Sequence, residues 1–569
     1  MTSFASSPSA ADASLTQDNR LTPPRKNNSW FGHLFQGEWM RWSQKIPQHL
    51  LVLPSDNWPG NAGQGKHIIA GQFNFAGQSF PTTQWMPDHA HPDWLRQVHS
   101  FDWLRDLRAV GGDAARRTAR NLVLDWLSHY RRWDAKVWQP DLIGWRLASW
   151  INFHDFFLAS ADDRFRTQVF ESMVKQSRYL ARILPGHMRG ARLISALKGQ
   201  IYACLALPNS QSRLFNALTI LADELPRQIL PDGGHIERNP TSHALVLRHL
   251  IDIRAALRAA GFAVPDIIQH SIHVMAPVLR LYRHADGKMA LFNGSEEGDA
   301  AWYDVLLNQS HAGNRTAISA PHTGYERLQQ GRSVVLIDTG APPPPSYDHN
   351  AHAAPLAFEF SVGRERIFVN CGHAGQVFKA SPLSSALRTT AAHSTVVIAD
   401  TNAVELRNEG GIGRHPRQMR LEHQQDAQGK GLAITHDGYQ SNLNIFHTRQ
   451  ILLSSDGEDL SGADILQGPA GYPFIIRFHL HPDTKASVTG NGATILLRTR
   501  SGAGWRFRAH DASVVLEESL YLANAADAPQ RTQQIIIAGH SIADETIVSW
   551  QLKREKKTRP STKDMDDLV

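Results

Sequence analysis

The sequence is poor in cysteine. Cys204 and Cys371 are the two in 569 residues, far apart and without metal-type spacing, so neither a disulfide framework nor a Cys-based zinc motif is expected. Both read as small buried apolar residues. No apolar run approaches the roughly 18 residues that a membrane helix needs, which argues against a spanning segment. No Gly-rich phosphate loop follows a strand, and no basic stretch is interleaved with aromatics, so neither nucleotide nor nucleic acid is an expected partner. The stretch from Met1 to Trp30 is rich in Ser, Ala, Asn and Pro and has no apolar core of a secretory signal. Read alone, that points to the cytoplasm.

What the sequence does contain is ordinary globular composition, with 42% hydrophobic and 20% charged residues. Its length exceeds what one core holds, since cores stop growing near about 250–300 residues, and two large domains follow. A net charge of +6 and a pI near 9.3 favour encounter with a polyanion. The cluster Lys553–Arg559 lies in a polar tail and reads as a solvated end. The oligomeric state stays open.

From about Pro92 to Asn308 the apolar residues recur at helical spacing between polar breaks. The predicted helices are 114–133, 143–159, 164–184, 191–207, 212–229, 241–261 and 265–284. Leu193, Leu197, Ile201 and Cys204 form one stripe, and Val246, Leu250, Ile253 and Leu257 another. With no strand to pack on, these helices must pack on each other. Near Gly324 the period changes to alternation. Runs at 332–338, 356–360, 366–371, 394–399, 417–423, 446–453, 474–480, 494–500, 505–509, 533–538 and 546–552, separated by Asp-Gly, Gly-Asn-Gly and Ser-Gly turns, predict an antiparallel sandwich of two sheets. The expected division is an N-terminal extension (1–65), a helical domain (66–322), a sandwich (323–552) and a polar tail (553–569).

Four short segments occur in a suggestive order: "PDGGHIERNPTSH" (231–243), "HNAHAAPLAFEF" (349–360), "AAHSTVVI" (391–398) and "RFHLHP" (477–482). Together with the helical-then-β order, they resemble the heparinase II/III-like family over roughly residues 70–552. The resemblance implies an (α/α) toroid followed by an antiparallel β-sandwich, and β-elimination of an acidic, uronate-containing polysaccharide. It implies no organic cofactor, and a periplasmic or cell-envelope location. In such chemistry the proton on C5 is weakly acidic while the neighbouring carboxylate is charged. The site must neutralise that carboxylate, remove the proton and protonate the departing oxygen.

Residue by residue, the family's Asn-His element falls on Ala191 and Arg192. Arg192 either binds a carboxylate or is a surface arginine at a helix start. Ser242 stands where a tyrosine is expected, followed by His243, which is either a base with near-neutral titration or a helix-start residue. Glu237, Arg238 and Asn239 precede it, as substrate contacts or as a solvated turn. In the His-x-His element, Asn350 occupies the substrate-facing position, with His349 beside it and His352 two residues on. Tyr303 is a replacement phenol or a packing residue. Some members hold zinc through His, Asp and His; the corresponding positions are His352, Asn370 and His393, and Asn is a poorer ligand, so a hydrogen-bonded cluster is the alternative. The competing function is a catalytically degenerate glycan-binding relative, because the family's Asn/His, Tyr and His positions fall on Ala191/Arg192, Ser242 and Asn350.

Overall fold

The computed structural model describes residues 46–375, 382–489 and 494–555. The extension before residue 46 and nearly all of the tail lie outside them.

The helical half is built on the helix Gly190–Ala206, which is buried along almost its whole length. Around it pack Pro140–Asn152, Asp163–Ile183, Gln211–Gln228 and Pro240–Ala259, and Asp266–Leu281 lies against the last of these. All seven predicted helices are present, although the second ends at Asn152 and a short turn, His154–Phe157, follows it. The stripes seen in the sequence, Leu193 to Ile201 and Val246 to Leu257, are fully buried. A short hairpin, Gln72–Phe75 with Gln78–Pro81, precedes the predicted helices.

The close pairing of Pro140–Asn152 with Gly190–Ala206 depends on glycines at their crossing. A Cβ on Gly199 would sit 2.1 Å from the Gly144 carbonyl oxygen, and one on Gly144 would sit 2.4 Å from that of Ser195. Gly199→Ala should therefore force the two helices apart and cost about 1–3 kcal/mol. A fall in the urea midpoint at unchanged slope is the expected readout; an unshifted midpoint would show that the crossing can relax.

The helix Ala300–Ser310 ends the helical half, and the first sandwich strand is Ser319–Ala320. One sheet of eight strands runs in the order Lys485–Thr489, Thr494–Arg498, Gly504–Ala509, Asp544–Arg554, Asp459–Gly468, Ile445–Ser454, Gly429–Tyr439, Met419–Gln425. The other sheet has nine, centred on Pro473–Leu480, Glu365–Val369, Phe358–Val362 and Ser333–Asp338. Among the described residues every strand-to-strand pairing in the two sheets is antiparallel, and an isolated parallel bridge joins Gly372 to Leu522. Ser333–Asp338 explains how the halves join: Val335 and Ile337 face the sandwich core, while Val334 and Leu336 belong to the helical core. A strand buried on both faces reads as a continuous apolar run.

Candidate functional site

A cleft of about 1200 Å³ opens between the helices and the sandwich. Arg192, Glu237, Ser242, His349 and Asn350 line it together. Three of the sequence segments singled out above thus converge on one wall, although up to 158 positions separate them.

Arg192 projects from the first turn of the helix Gly190–Ala206. Its Nε and Nη2 donate to the two oxygens of Asp141 at 2.9 and 3.2 Å, and Nη2 also reaches Gln139 Oε1 at 3.0 Å. Arg96 pairs with the same buried carboxylate. Burial alone would raise the Asp141 pKa, but the two guanidiniums win and hold it at about 2. Two cations on one anion leave a net positive charge in the cleft wall. Arg192, 38% exposed, presents it.

Glu237 sits opposite the same helix start. Its Oε1 accepts the Ala191 N–H at 2.8 Å, satisfying one of the orphan donors of the first turn. Gly190 permits this: its φ is +65°, and a Cβ there would fall 1.9 Å from Glu237 Oε1. Burial raises the Glu237 pKa, opposed by the Ser242 hydroxyl, the Ala191 N–H and the charge of Arg192. Ser242 is therefore not an isolated hydroxyl. It meets a carboxylate that holds its proton more tightly than usual.

His349 is exposed at the cleft rim, with its pKa lowered by partial burial and then by Arg388 and Arg192, against Asp348. Arg192 is thus the shared electrostatic neighbour of Glu237 and His349. Tyr179 and Tyr347 also line the cleft. The sequence reading did not single them out, since lone tyrosines in a helix and after a proline run carry no distinguishing pattern.

Several expected site residues are placed elsewhere. His243 is fully buried; its Nε2 lies 2.9 Å from the Met275 carbonyl oxygen and its ring packs edge-on to Tyr282. Burial drops its pKa to about 3. One residue is 100° of helix, so Ser242 facing the cleft turns His243 into the helical core. Tyr303 is also buried, packed edge-on to Trp302, and does not line the cleft. Arg238 is not a substrate contact: buried, it pairs with Asp338 and donates to the carbonyls of Thr323 and Gly324, tying the helical loop to the sandwich. Asn239 lines the cleft, but its amide is occupied. Oδ1 caps the helix Pro240–Ala259 by accepting Ser242 N–H at 2.9 Å, and Nδ2 donates to the Asn293 carbonyl at 2.8 Å.

His352 and His393 come together as a hydrogen-bonded pair, while Asn370 bonds to Glu359 and Ser394. His352 Nδ1 and His393 Nε2 are 3.0 Å apart, and His393 Nδ1 lies 2.8 Å from the Thr389 carbonyl oxygen. Asn370 Oδ1 accepts the Ser394 N–H at 3.0 Å, while its Nδ2 faces Glu359. His352 Nδ1 and His393 Nε2 face each other and Asn370 Oδ1 is taken by the Ser394 N–H, so the three side chains do not turn their free atoms to one zinc ion. Among the described residues, no group of three or more His, Cys, Asp or Glu side chains is arranged to hold a metal.

A helical toroid, an antiparallel sandwich and a polar cleft between them define a class of polysaccharide-lyase architecture, and the chain belongs to the heparinase II/III-like family. Residues 74–311 match the family description "Heparinase II/III N-terminus" and residues 312–551 match "Heparinase II/III-like, C-terminal". FtsZ-localized protein C of Caulobacter vibrioides is 30% identical over 485 residues, covering 81% of this chain and 83% of that protein. The crystal structure of heparinase III superposes with a TM-score of 0.73 at 14% identity, covering 92% of this chain and 89% of the other. A mutant of the heparan sulfate lyase HepC from Pedobacter heparinus superposes at 0.61 and 15% identity, covering 87% and 83%. Among the described residues, no helix is long and apolar enough to cross a membrane.

Proposed function

We propose that the chain is a polysaccharide lyase that cleaves an acidic, uronate-containing glycan by β-elimination, without an organic cofactor. The observation that carries this reading is the cleft grouping of a cation, a neutral imidazole and a carboxylate of raised pKa: Arg192, His349 and Glu237. Arg192 with Asn350 holds the uronate carboxylate and lowers the cost of charge developing at C5. His349 takes the C5 proton, the C–H pair becomes the C4–C5 double bond, and the C4–O bond breaks. The departing oxygen takes a proton from Glu237, with the Ser242 hydroxyl in its path. His349 replaces His243 as the base because it reaches the cleft.

Incubation with a panel of uronate polysaccharides, followed by ultraviolet absorbance of the unsaturated product, tests this reading. The rate should fall on the acid side as His349 takes up a proton, at a pH below 6.5, and on the alkaline side as Glu237 loses one, at a pH above 4.5. A rate that climbs steadily through neutral pH into the alkaline range would assign proton transfer to another group, with Tyr347 the next phenol to test.

A second reading is favoured by one specific observation: neither His243 nor Tyr303 reaches the cleft. On that reading the chain binds an acidic glycan without cutting it. The Caulobacter vibrioides relative is named for localisation with FtsZ rather than for a lyase activity. Glycan binding without unsaturated product, together with co-localisation of the tagged chain with FtsZ, would select it. The same imaging would decide between the cell envelope implied by the family and the cytoplasm.

A further inference from the structure

The cleft wall that carries Arg192 continues inward. Asp141, Arg192 and Ser242 belong to the first turns of three helices, Pro140–Asn152, Gly190–Ala206 and Pro240–Ala259. One turn further along the same helices stand Trp145, Ser195 and Leu245, and all three line the cleft. Trp145 is therefore about 6 Å beyond Asp141 along the helix axis, comparable with the advance of one sugar ring in a chain. Between Asp141 and Ile151 it is the one residue that is not buried. Trp94, Trp126 and Trp150, by contrast, are closed off completely in the helical core.

The Trp145 indole is held in place. Lys198 Nζ and Arg248 Cζ each lie 4.9 Å from its ring centre. Both side chains approach the same oxygen of Asp252, at 2.5 and 3.9 Å, so the two cations stand on one side of the ring. His249 meets it edge-on at 5.0 Å and is itself fixed by Ser195 Oγ at 2.7 Å. The part of the indole left exposed opens to the cleft. Arg248 also reaches Asp102 at 3.5 Å, so this carboxylate, 30% exposed and lining the cleft, lies within one guanidinium's span of the indole. The charges around the ring cancel. Arg105 pairs with Asp56 and Asp102 at 2.7 Å, Lys198 with Asp252, and Arg248 with Asp102 and Asp252. Asp106, which also lines the cleft and feels Asp102, is a further carboxylate. None of these three cations is left over for an anion, whereas at Arg192 two guanidiniums share Asp141.

We propose that Trp145 is the platform of a subsite for an uncharged sugar, one ring inward from the uronate held at Arg192. The inference rests on the acidic-glycan reading and names the character of the uronate's neighbour. A pyranose presents C–H groups on one face, and these meet the negative face of the indole. Hydroxyls at the edge of that ring donate to the Asp102 carboxylate. A carboxylate or sulfate in their place would face Asp102 and Asp106 with no free cation to offset them. A platform already fixed by two cations and a histidine loses little freedom when it binds.

The test is calorimetric binding of three oligosaccharides of equal length to the full chain: alternating uronate and N-acetylglucosamine, oligogalacturonate with every ring charged, and N-acetylglucosamine alone. The alternating form should bind the unmutated protein tighter than oligogalacturonate by roughly tenfold or more. Trp145→Leu, which keeps an apolar side chain but no ring, should bring the two level, and Trp145→Phe should keep the preference. Oligogalacturonate binding as tightly as the alternating form would overturn the proposal without recourse to any variant. A preference left intact in Trp145→Leu would overturn it as well. Binding of N-acetylglucosamine alone, lost in Trp145→Leu and indifferent to Arg192→Ala, would keep the platform and remove the uronate. Binding of none of the three would remove both.

Discussion

Glu237→Gln should lower the rate of unsaturated product formation by about a hundredfold or more while glycan affinity changes by no more than a few fold. The substitution isolates the proton. A glutamine oxygen still accepts the Ala191 N–H, so the start of the helix Gly190–Ala206 keeps its cap, and the space beside Gly190 stays filled. What is lost is a group that binds its proton more tightly than an ordinary glutamate and stands against the Ser242 hydroxyl. Initial rates compared with calorimetric affinity separate the two roles. Equal loss of both would make Glu237 a substrate contact; full retention of rate would remove it from the chemistry. His349→Ala should show the same split, because a neutral imidazole contributes to proton transfer more than to ground-state binding.

The largest effect on stability is expected at Asp464. This carboxylate is wholly buried in the sandwich and receives Arg449 Nε and Nη2 at 2.8 and 3.0 Å, His447 Nε2 at 2.8 Å and Trp550 Nε1 at 3.2 Å. Burial would raise its pKa, yet Arg449 and His447 hold it at about 2. Asp464→Ala strands the Arg449 charge in the core and should cost about 3–5 kcal/mol, read from urea unfolding. Asp464→Leu combined with Arg449→Met should recover much of that loss, since removing both charges leaves neither unpaired. The pH dependence has a definite sign. The folded pKa is depressed, so the contribution is complete above about 4, the unfolded value, and is lost as pH falls toward about 2. A single variant as stable as the parent would mean that solvent reaches Arg449.

Helices were legible in the sequence because each buries one continuous stripe, and a stripe is visible without knowing its partner. Strands were legible where alternation is clean, as at Phe358–Val362. Ser319–Ala320, Tyr325–Gln330, Gly429–Tyr439, Asp459–Gly468, Lys485–Thr489 and Val514–Tyr521 were not legible as strands. Asp459–Gly468 shows why: Gly462 is there to admit the Trp550 ring and Asp464 to meet Arg449, so a core strand carries a glycine and an aspartate that propensity counts against it. In the site, the segments were readable but side-chain direction was not. Ser242 and His243 are neighbours in sequence and 100° apart on the helix, and periodicity could not say which of them the cleft receives. Arg238 looked solvated because its partners lie in the other half of the chain. Asp102 and Trp145 belong to no pattern that sequence alone distinguishes.

Arg238 also fixes when the cleft can exist. During synthesis its carboxylate partner, Asp338, emerges 100 residues later, and Asp232, on the same loop, waits 91 residues for Thr323. At about 5–20 residues per second that is a delay of roughly 5–20 s. Through this interval the helical half can collapse on its own stripes, but the segment bearing Glu237 lacks its ties to the sandwich, and His349 and Asn350 have yet to leave the ribosome. The nascent chain acquires its chemistry last, so any fragment released before Asp338 lacks a working cleft.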